Sequence, residues 1–166
     1  SSYRDPRFLA VINSLDAGWA LFTGGGILPS ASFGRSDLRL LHIHTGFLPH
    51  IRGADVLLWS LLVRGRPGVS AFEMTPNLDD GDVLAAEELA PLEIPVKGTL
   101  RPDDETLYRS LFSFVDPLIR AEFLTETLKN LPGGLGAAET LPQDLSIGTT
   151  FHFMDPAIRR AAPRRR

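Results

Sequence analysis

A chain of 166 residues with 43% hydrophobic and 22% charged residues is long enough to bury one sizeable core. It has no cysteine, which excludes a disulfide framework, a thiolate metal site and a cysteine nucleophile. The net charge of -3 hides an asymmetry. Arg159, Arg160, Arg164, Arg165 and Arg166 crowd the last eight residues, and setting those five aside leaves 12 basic residues against 20 acidic. An acidic body argues against a nucleic-acid face. The arginines read as a solvated tail over 159–166, following one domain over 1–158. No run approaches the ~20 apolar residues of a membrane span, and the opening residues lack a secretory signal layout. A cytoplasmic chain without a membrane partner is therefore expected.

Asp5-Pro6 opens the first element. An Asp carboxylate caps free N–H groups, and Pro suits the next position because its missing N–H would be unpaired anyway. The apolar residues Phe8, Leu9, Ile12 and Leu15 then follow at helical spacing. A strand is expected over 19–23, stopping at Gly24-Gly25-Gly26, and another over 38–44, ending at Thr45-Gly46. A helix over 54–63, closed by Gly65 and Gly68, precedes a strand over 69–74. A strand pair is expected over 83–89 and 92–96, around Pro91. A helical region follows over 104–129, broken at Pro117 where Asp116-Pro117 caps afresh, and Gly133-Gly134 ends it. A last strand over 149–153 leads to a helix capped by Asp155-Pro156. Strands alternating with helices predict an α/β fold with a mostly parallel sheet flanked by helices.

In such sheets ligands bind beyond the carboxyl ends of strands, which draws attention to three loops. His42 and His44 lie two apart on a strand, so both imidazoles point to one face. With His50 nearby they could be metal ligands, but the hydrolases that use such a pair are barrels of ~250 residues, too large for this chain. No metal is expected. In the loop Leu78-Asp79-Asp80-Gly81-Asp82, Asp80 and Asp82 read as a solvated turn. Asp79, between apolar Leu78 and Asp80-Gly81, is the carboxylate that can turn inward. A His and an Asp within reach of one another make a proton-transfer pair. The three glycines lack the spacing and the Lys of a phosphate loop and read as a tight turn.

These residues carry a resemblance. His42-Ile-His44-Thr-Gly-Phe-Leu48-Pro49-His-Ile-Arg52-Gly53-Ala-Asp55, then Trp59, then Leu78-Asp79-Asp-Gly81-Asp, is similar to the folate-dependent formyltransferases. These include the methionyl-tRNA, glycinamide-ribonucleotide and amino-sugar enzymes. The likeness covers about residues 17 to 89. It implies a Rossmann-like formyltransferase sheet lacking its first βαβ portion, so that an unpaired edge favours association into a homo-oligomer. It implies catalytic roles for His44 and Asp79, and a folate-lining segment containing Leu21, Thr23, Gly24, Ile27 and Leu28. The co-substrate it implies is 10-formyltetrahydrofolate, and the acceptor a small-molecule amine such as an amino sugar. Where the family has an Asn, this chain has His42. The resemblance makes it an N–H donor to the developing oxyanion, a role that His42→Asn would preserve. Two alternatives stay open: a hydrolase of the same donor, and a non-catalytic folate-binding module.

Overall fold

The structure is a computed structural model that describes residues 3–91, 93 and 102–164. Helix α1 (Pro6–Ser14) starts where expected: the Asp5 carboxylate accepts the Arg7 N–H at 2.9 Å, and Pro6 occupies the first turn. Strands β1 (Gly18–Phe22) and β2 (Leu38–His44) follow, then a short β3 (Ile51–Gly53) and helix α2 (Val56–Arg64). Strands β4 (Gly68–Glu73) and β5 (Val83–Glu88) form a hairpin. Beyond residue 102 come helix α3 (Asp104–Ser110), a π-helical turn (Leu111–Val115) and helix α4 (Asp116–Lys129). Strand β6 (Thr149–Phe151) and helix α5 (Pro156–Arg159) complete the regular elements. The expected strand over 92–96 falls, but for Glu93, outside the described residues.

The main sheet has the order β1-β2-β4-β5. The expectation of a mostly parallel sheet is corrected here: β1 and β2 are parallel, but β2–β4 and β4–β5 are antiparallel. The reason lies in the connections. Residues 74–82 turn β4 straight back into β5, and a hairpin makes its strands antiparallel. Between β2 and β4 the chain bends through β3 and α2, and it re-enters the sheet reversed. Strand β3 pairs with β6 in a separate two-stranded sheet, Gly53 opposite Phe151.

Strand β2 is central and buried on both faces, as a strand with pairing neighbours on each side can be. Leu41 and Ile43 pack with Val69, Ala71 and, from α4, Ile119 and Phe123. Leu38 and Leu40 face the other way, against Ile12 of α1 and Leu28. The helix carrying Pro117 is not broken there. The preceding turn widens to the π form, which accommodates the missing N–H and the bulk of the ring. Asp116 therefore makes no cap bond and turns its carboxylate sideways. The tail does not begin cleanly at residue 159. The Arg159 guanidinium lies 3.8 Å over the Tyr108 ring and donates to the Met154 carbonyl at 3.1 Å, and Ala162 is buried beside Leu58 and Leu111.

Gly53 shows how tightly the small sheet is closed. Its φ is +104°, and a Cβ there would lie 1.9 Å from the Phe151 carbonyl oxygen. Gly53→Ala is expected to destabilise the chain by at least ~2 kcal/mol in denaturant unfolding, because both backbone strain and the clash oppose it.

Candidate active site

The two-residue alternation of β2 sets His42 and His44 on one face, at the carboxyl end of the parallel β1–β2 pair. Phe72 of β4, buried at 2% exposure, lies edge-on to both rings, with centroid distances of 5.8 Å and 6.2 Å. Nδ1 of His42 is 2.8 Å from the Phe22 carbonyl oxygen. A carbonyl oxygen only accepts, so the proton is on Nδ1. Among the described residues Nε2 has no hydrogen-bond partner, and the ring lines a cavity. With Nδ1 protonated, the neutral ring presents the Nε2 lone pair to the cavity. Burial holds its pKa below the ordinary histidine value, with the Phe22 carbonyl opposing the shift.

His44 is more deeply enclosed, at 4% exposure. Its Nε2 lies 3.1 Å from the Ile51 carbonyl oxygen and therefore donates, while Nδ1 faces Asp79 Oδ2 at 3.8 Å. Burial lowers its pKa and the Asp79 charge opposes that fall. Asp79 is turned inward, as its neighbours suggested. It has a left-handed φ of +51°, its Oδ2 accepts the Gly53 N–H at 2.8 Å, and its carbonyl accepts Gln143 Nε2 at 3.1 Å. Asp80 instead spends its carboxylate within the turn, on the Thr75 hydroxyl and on Asn77 Nδ2. The Arg52–Gly53 step is a structural tie: the buried Arg52 guanidinium donates to the Pro49 carbonyl at 2.8 Å and to the Leu145 carbonyl at 3.3 Å.

The cavity has a volume of about 690 Å³. Phe22, Phe33, Met74, Tyr108 and Phe151 give it an apolar wall, and residues 24–28 form one side, so Gly24, Ile27 and Leu28 reach it. Leu21 and Thr23 do not. Strand residues alternate, and Phe22 is the one that faces inward while Leu21 stays 45% exposed. His50 stands apart, stacked on Phe47 at 5.4 Å. Among the described residues no group of three His, Cys, Asp or Glu is placed to hold a metal ion.

Three further polar groups at the cavity escaped the sequence reading. Thr45 Oγ1 donates to Asp116 Oδ1 at 2.5 Å, Arg120 Nε pairs with Asp116 Oδ2 at 2.6 Å, and Arg120 Nη1 donates to the Ile43 carbonyl at 3.0 Å. The Asp116-Pro117 pair looked like a helix cap, and nothing local distinguishes a capping carboxylate from one whose partner lies 71 positions away.

Burial lowers the pKa of both histidines, so the unfolded chain binds more protons than the native one below the ordinary histidine pKa of about 6.5. Stability is therefore complete above that pH and falls as the pH drops below it. Thermal unfolding between pH 8 and pH 5 is expected to show a falling Tm, and the fall should be smaller in His42→Asn.

No family model matches the chain. Relatives do. The methionyl-tRNA formyltransferase of Syntrophus aciditrophicus is 32% identical over 87 residues, covering 51% of this chain and 28% of that protein. That of Geobacter metallireducens is 28% identical over 133 residues, covering 79% of this chain and 39% of that protein. The chain thus spans between a quarter and two fifths of the length of these relatives. Among solved structures, the formyltransferase PseJ from Anoxybacillus kamchatkensis, in complex with UDP-4,6-dideoxy-4-formamido-L-AltNAc and tetrahydrofolate, has a similar fold. Its TM-score is 0.55 at 23% identity, covering 87% of this chain and 68% of that one. HypX from Aquifex aeolicus, in complex with tetrahydrofolic acid, gives 0.57 at 24% identity, covering 91% and 23%. By sequence over about half of its length or more the chain is similar to methionyl-tRNA formyltransferases, and over most of its length it shares the fold of solved formyltransferases, each of which it spans in part.

Proposed function

We propose that this site transfers a formyl group from 10-formyltetrahydrofolate to a small-molecule amine, such as an amino sugar, in the cytoplasm. The observation that carries the reading is the convergence of His42, His44 and Asp79 on the wall of one largely apolar cavity. Its volume is within the range of small-molecule sites. Gly24, Ile27 and Leu28 form the side on which the folate would lie. The acidic body leaves a small amine a better acceptor than a polyanion.

The amine lone pair adds to the formyl carbon, and the carbonyl pair moves to oxygen as a tetrahedral oxyanion. The C–N10 bond then breaks, releasing tetrahydrofolate and the formamide. His44, with Asp79 behind it, is the imidazole at which the charge of this intermediate is balanced. The 3.8 Å separation of the pair is longer than a hydrogen bond, and such contacts commonly tighten when a site fills. Once His44 takes up a proton at Nδ1, Asp79 needs only to close by less than about 1 Å to accept it in a hydrogen bond. The donor itself brings the activated carbon, so the chain's residues need only orient it and move protons.

The assay is release of tetrahydrofolate in the presence of a panel of amino-sugar nucleotides and simple amines. Asp79→Asn keeps an oxygen for the Gly53 N–H but removes the charge. It is expected to lower turnover by about 10²-fold or more, with little change in binding of a non-reactive folate analogue. Release with water alone would identify a hydrolase. Folate binding with no release under any condition would leave a non-catalytic binding module.

A further inference from the structure

Position 42 offers the cavity something that an amide cannot. An Asn side chain presents a permanent N–H donor and has no useful basicity. The His42 ring is anchored by one nitrogen, with Nδ1–H on the Phe22 carbonyl at 2.8 Å, and that bond is the same whether the ring is neutral or charged. All proton exchange must therefore occur at the other nitrogen. Nε2 is that nitrogen, and among the described residues it has no hydrogen-bond partner, on a ring that lines the cavity. His44 cannot take this part as it stands, because its Nε2 is committed to the Ile51 carbonyl and its Nδ1 faces Asp79.

We propose that His42 Nε2 is the proton shuttle of the transfer, a role that rests on the formyl-transfer reading. As the amine nitrogen bonds to the formyl carbon, it becomes a secondary ammonium centre and gives one proton to Nε2. His42 is then an imidazolium, with Nδ1–H still on Phe22 and a new Nε2–H facing the intermediate. When the C–N10 bond breaks, its electron pair stays on N10, and Nε2 returns the proton there. The oxyanion pair re-forms the carbonyl, and the ring is back in its starting state. One imidazole nitrogen serves as base and then as acid, with no net proton change.

The surroundings favour the neutral starting state. Burial opposes charge on His42, and so do Arg120 from α4 and the neighbouring His44. The Phe22 carbonyl and Asp79 pull the other way, less strongly. Phe72 of β4 adds an apolar ring edge and no charge.

Two measurements on the intact protein test this. Nitrogen-15 NMR of the histidine rings is expected to find neutral His42 protonated at Nδ1 and bare at Nε2. The opposite tautomer would overturn the proposal outright. In the tetrahydrofolate-release assay, His42→Asn and His42→Ala are each expected to lose about 10²–10⁴-fold in turnover with folate-analogue binding unchanged. The acidic limb that His42 imposes on the wild-type pH profile should vanish in both, and added imidazole should partly restore His42→Ala. Full activity in His42→Asn would overturn the shuttle while leaving the formyl-transfer reading intact. A wild-type protein that binds folate but never releases tetrahydrofolate would overturn that reading and the shuttle with it.

Discussion

A strand buried on both faces must have its backbone groups fully paired, and β2 meets this demand by lying between β1 and β4. That placement governs nearly everything at the site. With Leu41 and Ile43 committed to the α4 side, the intervening residues have no choice of direction, and His42 and His44 must stand on the opposite face. Register does the rest. Phe22 is the β1 residue opposite His42, so its carbonyl is the acceptor nearest the ring, and Phe72 of β4 is the residue opposite on the other side. A one-residue slip in either pairing would send both imidazoles into the core under α4.

The carboxylate reaches these rings by a different route. Asp79 sits on a turn whose backbone is closely packed, since a Cβ at Gly81 would lie 1.7 Å from the Glu73 carbonyl oxygen. Its charge is met by one backbone N–H, that of Gly53, whose own position depends on the β3–β6 pair. A segment near residue 150 therefore holds the catalytic carboxylate of the proposal at second hand. The sequence between β5 and β6 thus serves the site without contributing a residue to the proton-transfer pair.

What was legible in advance divides along this line between local and distant causes. The bounds of β2, the shared face of the two histidines and the caps at Asp5 and Asp155 depend on neighbours within a few residues, and reading them needed nothing else. The inward turn of Asp79 was legible from Leu78 and Gly81 for the same reason. Strand direction was not, because the reversal of β4 is decided by where a bent 23-residue connection, residues 45–67, deposits the chain. Nor was β3, whose three residues are too few to show a period. The helix through Pro117 defeated a sound local rule, since a π turn solves the proline's problem without ending the helix. Nor was the tautomer of His42 legible: whether an imidazole gives or takes a hydrogen bond depends on what holds its other nitrogen, and the Phe22 carbonyl is contributed by another strand.

Two imidazoles on one wall also constrain each other. Residues two apart on a strand lie about 6.7 Å apart. At an effective dielectric constant of about 20, two positive charges at that separation repel by roughly 2.5 kcal/mol, or nearly two pK units. The rings cannot both be charged at neutral pH, and their neighbours decide which is the easier to protonate. Asp79 is the carboxylate neighbour of His44, at 3.8 Å, and both its charge and that of Arg120 bear on the two rings in opposite senses. Asp116, the other buried carboxylate, is already neutralised by Arg120 and bonded to Thr45. Burial opposes charge at both rings, so His42 is a weak base, ready to surrender a proton as soon as it has gained one. A shuttle needs that property more than it needs basicity: a strong base at position 42 would take the amine's proton and keep it. The departure from an amide at this position is thus matched by its surroundings, which supply a low-charge, half-buried wall in which an imidazole can accept and release a proton within one cycle.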